Sequence, residues 1–250
     1  MIKIIEESNF IFNAFPQMYL AVYANHYSRA YKLDKYDELD GILEKIDRLA
    51  SAKNTEIPRV TKHEAFSYSS ERKLIYYANH DQFEKCLEQY LANKKVFVTN
   101  IKNFKPAYLI LQYYFAAYAY FHTGDYDKAV KNIKEILDNY GEDIRLDFII
   151  YTQILYIMVH YELGNFTLIS YLLKSLERLV LKKKIESEFL KVSIAFFKNI
   201  AKNAKHTDDH HELFEQYQKS IENMKNFYAE EVYYSTLGMM RWIQSNLDKK

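Results

Sequence analysis

Cysteine, proline and glycine are all scarce in this chain of 250 residues, which has one Cys, three Pro and five Gly. The lone Cys86 excludes an internal disulfide framework and a cysteine-rich metal site. Few helix breakers imply long uninterrupted elements. Tight phosphate-cradling loops need glycines that are not there, and HExxH, GxSxG, GxGxxG and GxxxxGK[ST] are all missing. An excess of one charge is missing too. Thirty-four basic residues face thirty-three acidic ones, for a net charge of +1, so the basic face used in nucleic-acid binding is not expected. The longest apolar run, Phe148 to Val159, is interrupted by Thr152 and Gln153 and falls short of the roughly 18–20 residues that span a bilayer. Glu6 and Glu7 stand where a signal peptide would have its apolar core. These absences predict a cytoplasmic, non-enzymatic protein with no cofactor, no nucleic-acid partner and no membrane span.

What is present is apolar periodicity. Tyr113, Ala116, Ala117 and Tyr120 fall at i, i+3, i+4 and i+7, one stripe of a helix. Gly124 then suits a left-handed helix end, and Asp125 suits the N-cap of the next helix. Tyr126, Ala129, Val130, Ile133, Ile136 and Leu137 make that second helix amphipathic. The same grammar recurs at Leu33-Asp34-Lys35-Tyr36, His80-Asp81-Gln82-Phe83 and Gly164-Asn165-Phe166, with the aromatics 40 to 47 residues apart. Pro16, Pro58 and Pro106 each precede or open the first helix of a pair, where a missing N–H costs nothing.

The spacing predicts helix pairs over 16–33 and 35–50, 62–79 and 81–94, 106–122 and 125–139, 144–163 and 165–183, and 186–204 and 209–224. A last amphipathic segment, 227–247, carries the only tryptophan, Trp242, and should cap the stack. Two antiparallel helices cannot bury such stripes alone, so neighbours must stack on them. The fold class is therefore all-α, a right-handed α-solenoid of about five antiparallel pairs with a capping helix, forming one domain over 1–250. The Ile/Phe-rich opening without a polar lead-in is what the C-terminal part of a longer protein would show.

Tyr113, Ala116, Ala117, Tyr120, Ala129, Ile133 and Ile136, with Gly124-Asp125-Tyr126 between the helices, resemble the tetratricopeptide (TPR) consensus. Ser70, Leu74, Tyr77, Cys86 and Tyr90 form a second, weaker copy, and Tyr156, Ile157, His160, Ile169 and Leu173 a third. The repeats are longer than the TPR's 34 residues. The whole chain is similar to the C-terminal half of a group of bacterial TPR-like proteins, on the FHTGDYDKA and IMVHYELGNF turns and the closing Trp242-Ile243. The resemblance implies an α-solenoid with no catalytic residues and no established ligand.

In TPR folds the first helix of each pair lines a concave groove. Carried over by phase, that face comprises Ser28, Tyr31 and Lys32; Glu71, Ile75 and Asn79; Tyr114, Tyr118 and His122; and Ile154, Met158 and Glu162. It would hold a protein or peptide segment on Tyr, Met and apolar contacts. The alternative is a sensor or docking half of a larger regulatory protein whose effector lies N-terminal to this chain. Self-association through an aromatic terminal face is a further expectation.

Four other features carry chemistry on paper. His206 and His210 would share a helix face and could ligate a metal, but Asp208 and Asp209 read as helix caps in a polar loop. His160 sits at a packing position. Cys86 occupies a small buried position. Lys182-Lys183-Lys184 close a helix, where cations suit the dipole.

Overall fold

The computed structural model describes residues 9–203, 210–225 and 230–249, with residues 9, 10 and 232–234 described by backbone only. Among them all regular structure is helical. The chain divides into two compact units, Met1–Phe115 and Ala116–Lys250. The division falls inside one helix.

The first unit holds α1 (Asn9–Ala14), α2 (Pro16–Lys32), α3 (Leu39–Ala50), α4 (Arg59–Asn79), α5 (Phe83–Thr99) and the first part of α6 (Pro106–His122). Pro16 is the first residue of α2 and Pro106 of α6, while Pro58 is the N-cap of α4. Proline's fixed φ favours each of these positions. Helix α3 packs on α2, α4 on α3 and α5 on α4, and α2 also touches α4. Their shared core sets Tyr19, Tyr23, Tyr27 and Ala30 against Leu39, Ile42, Leu43, Ile46 and Leu49. Each fully buried Leu or Ile stabilises by about 1.5–3 kcal/mol. Cys86 is buried as expected, its thiol 3.8 Å from the carbonyl oxygens of Leu74 and Phe115. Burial pushes that thiol up to about 12, so it is inert.

The second unit holds the end of α6, then α7 (Tyr126–Asn139), α8 (Leu146–Glu162), α9 (Phe166–Lys182), α10 (Glu188–Lys202), α11 (His210–Glu222), α12 (Glu231–Thr236) and α13 (Met239–Leu247). From α7 to α11 each helix packs on its successor, and α13 packs on both α11 and α12. Asp125 caps α7 as expected, accepting from the Lys128 amide at 3.2 Å and its ammonium at 2.6 Å. The three-lysine run is ion-paired in part. Lys182 meets Glu142 at 2.8 Å, and Lys183 meets Asp143 and Glu142.

Five reversals share one backbone geometry. Asp34, Asp81, Gly124, Gly164 and Lys184 all have φ between 52° and 78°. The amide of the next residue reaches back over the turn to a carbonyl five residues earlier. These bonds are Lys35 to Ala30, Gln82 to Tyr77, Asp125 to Tyr120, Asn165 to His160 and Ile185 to Val180, all at 2.9–3.0 Å. The left-handed residue itself bonds the carbonyl three back, which completes a Schellman end and satisfies carbonyls the helix leaves open.

Among the described residues the helix bounds follow the expected ones, apart from the unexpected α1 and a 3-10 turn at Ile101–Asn103, and with three further differences. A 3-10 turn at Tyr36–Glu38 precedes α3, and α5 runs on to Thr99. The closing segment is two helices, because Gly238 takes a left-handed φ of 56°. The first two reflect local hydrogen bonding that apolar phase does not encode.

A left-handed conformation costs a side chain roughly 1–2 kcal/mol that glycine avoids. Gly124→Ala should therefore lower the unfolding free energy by about 1 kcal/mol, and Lys184→Gly should raise it by about 0.5 kcal/mol or more. Urea unfolding followed by circular dichroism reads both, and equal signs would refute the shared cap geometry.

Candidate functional site

The face predicted by phase divides into an accessible part and a filled part. In the first unit Tyr31 and Ile75 are half-buried, whereas Tyr114 is fully buried. In the second unit Tyr118, Ile154 and Met158 are buried, and His122 and Glu162 are half-buried. Tyr114, Tyr118, Ile154 and Met158 thus offer no surface to a partner. Every residue from Tyr108 to Phe121 is buried, as are eleven of α8. A helix that is apolar all round is enclosed, so phase on it does not single out an open face.

In the second unit the chain's own C-terminal segment meets this face at Tyr118 and Glu162. Arg241 donates to the Tyr118 hydroxyl at 3.0 Å. Glu162 accepts from three side chains of the same segment: Trp242 Nε1 at 2.7 Å, Asn246 Nδ2 at 3.3 Å and Lys249 Nζ at 2.8 Å. Three donors on one half-buried carboxylate fix the register of α13. The Trp242 ring lies among Tyr161, Phe196, Phe197 and Phe214, with centroids 5.0–6.2 Å away. Such aromatic pairs add about 0.5–1.5 kcal/mol each beyond area burial. Gly238 is the glycine that lets this happen: a β-carbon there would lie 2.3 Å from the Tyr118 hydroxyl.

His122 is stacked edge-on against Tyr118, 4.5 Å between centroids. Burial, helped by the Arg241 cation, holds its imidazole down to about 3. It is therefore neutral at ordinary pH. Burial and Lys134 also lower His160, which packs against Tyr156 as a core residue.

The accessible part is aromatic. Tyr31 meets Tyr36 edge-on at 5.7 Å, Tyr36 lies 6.1 Å from Tyr76 and 5.0 Å from His80, and Tyr76 stacks on His80 at 4.2 Å. Asn79 donates to the Tyr31 hydroxyl at 3.1 Å, joining two residues that phase placed on one face. Tyr36 donates to Asp34 at 2.8 Å and is 37% exposed. Tyr36, Tyr76 and His80 were not among the expected site residues. The turn grammar had marked Tyr36 and His80, but only as signals of a chain reversal.

His206, Asp208 and Asp209 lie outside the described residues. His210 sits against Tyr161 and Phe166, and its Nε2 lies 3.2 Å from the Asn203 carbonyl. Among the described residues no three His, Cys, Asp or Glu side chains gather to hold a metal, and no helix is long and apolar enough to cross a membrane. No family model, curated protein or solved structure matches this chain.

Gly238→Ala combines a left-handed backbone with a clash on Tyr118 and should destabilise the second unit by about 2 kcal/mol or more. The loss should be read in Trp242 fluorescence during urea unfolding, and an unchanged midpoint would contradict the packing. His122 sets a pH dependence as well. Above its ordinary value of 6.5 it is neutral folded or unfolded, and its contribution is complete. Below 6.5 only the unfolded state takes up the proton, so stability falls until pH reaches about 3. Between pH 7 and 5 the wild-type chain should lose about 1–2 kcal/mol more than His122→Gln, and parallel pH profiles would reject this origin.

Proposed function

We propose that the protein is a non-enzymatic helical-repeat scaffold, a TPR-like solenoid that binds a protein segment on the aromatic face of its first unit. The repeat reading is supported by five reversals with one Schellman geometry and by the contact of α2 with α4, which skips α3. The single observation that carries the binding reading is the half-exposed group of Tyr31, Tyr36, Tyr76 and His80.

Exposed Tyr rings present large rigid area at small entropic cost, which is why they recur as binding hot spots. Asp34 and Asp37 are exposed beside Tyr36 in sequence. Aromatic faces with acidic neighbours favour a segment bearing Lys or Arg, through cation–π and ion-pair contacts. In the second unit Tyr118, Ile154 and Met158 of the equivalent stripe are buried and the C-terminal segment bonds Tyr118 and Glu162, which favours the first unit for binding.

The test is capture from a native lysate with the wild-type chain beside a Tyr36→Ala/His80→Ala variant, followed by titration of the captured partner. The variant should keep its helicity and lose affinity by about tenfold or more. Equal affinity for both would overturn the assignment of this face.

A further inference from the structure

Helix α2 carries a second, different stripe. Val22, His26 and Arg29 fall at i, i+4 and i+7, and Leu33 follows four residues on at the helix end. At 100° per residue these lie on one side of the helix, away from Tyr27 and Tyr31. With Lys35 and Glu38 from the following turn they line a cleft of about 530 Å³. That volume falls within the range of small-molecule sites, roughly 300–1,000 Å³.

The charges in this cleft are unequally matched. Glu38 sits 2.9 Å from Lys35 and 3.4 Å from His26 Nε2, so the one carboxylate is held from both sides. Arg29 is exposed and makes no ion pair among the described residues, and it lies near enough to Lys35 for the two cations to repel. An arginine left over beside an engaged carboxylate is a ready anion receptor, with a planar fork matching a carboxylate. The rest of the wall is apolar: Val22 is half-buried and Leu33 is 55% exposed. An exposed leucine at a cationic cleft stabilises a ligand that brings both an anion and an apolar body.

We propose that this cleft binds a small amphipathic monoanion, an aliphatic or aryl carboxylate, with its head on Arg29 and its body against Val22 and Leu33. A single negative charge fits better than two, because Glu38 shares the lining and repels a dianion. The site is independent of the aromatic face and does not rest on that reading.

The test is isothermal titration of the full chain with sodium decanoate, with decanol and decyl phosphate in parallel. Decanoate should bind with one-to-one stoichiometry, and both decanol and decyl phosphate about tenfold or more weaker. Arg29→Gln should cost decanoate about tenfold with helicity unchanged, Arg29→Lys less, and Leu33→Ser should weaken it as well. Tyr36→Ala should leave decanoate binding untouched, which separates this site from the aromatic face. Equal affinity for decanoate and decanol, or no effect of Arg29→Gln, would reduce the cleft to an apolar surface and overturn the proposal. Absence of binding by all three probes would do the same. A peptide with a free C-terminus that bound more tightly than decanoate, and was lost on Arg29→Gln, would replace the small molecule by a chain end.

Discussion

Chain reversal is the constraint on which the rest depends. A helix that stops must satisfy its last carbonyls and send the chain back along its own side. Here five reversals do so with one left-handed residue and one amide reaching back five positions. Because the geometry repeats, α2 packs on α3, α4 on α5, α8 on α9 and α9 on α10, and contacts close in sequence build much of each core. Such local topologies fold with little loop-closure cost.

Tyrosine sets the second condition. With 24 of them, many rings must be buried while their hydroxyls still find partners. The structure meets this with serines on facing helices. Ser70 pairs with Tyr108 at 3.0 Å and Ser193 with Tyr217 at 2.7 Å. Tyr68 donates to the Ala24 carbonyl at 2.9 Å. Burial raises the Tyr108 and Tyr217 phenols well above their ordinary value, so these hydroxyls remain neutral hydrogen-bonding groups. Where the second unit closes, Glu162 plays the matching part: its carboxylate gathers Trp242, Asn246 and Lys249. Specific polar contacts, more than apolar area, decide which turn of α13 lies where.

Helix positions were largely legible in the sequence, because Pro16, Pro106, Gly124, Gly164 and Asp125 each act through a local backbone preference. The left-handed Lys184 was not, since nothing about lysine signals that conformation. Gly238 was missed for a different reason. It belongs to no helix-pair turn, and its role is set by Tyr118, 120 positions away. The candidate face was legible only where a helix keeps a wet side. Tyr31 and Asn79 were placed together by phase and are joined by a hydrogen bond. On α6 and α8 apolar residues surround the helix, so periodicity has no contrast from which to choose a side.

Scarcity of two residue types has an experimental consequence. The only cysteine is buried at the heart of the first unit, and the only tryptophan is buried in the aromatic group of the second. A thiol reagent can reach Cys86 only through an opening of its surroundings, so its labelling rate is a clock for that opening. Indole emission reports the other unit on the same unmodified molecule. The chain therefore carries one native reporter for each half, and cooperativity between the halves becomes a measurable quantity without a single engineered label.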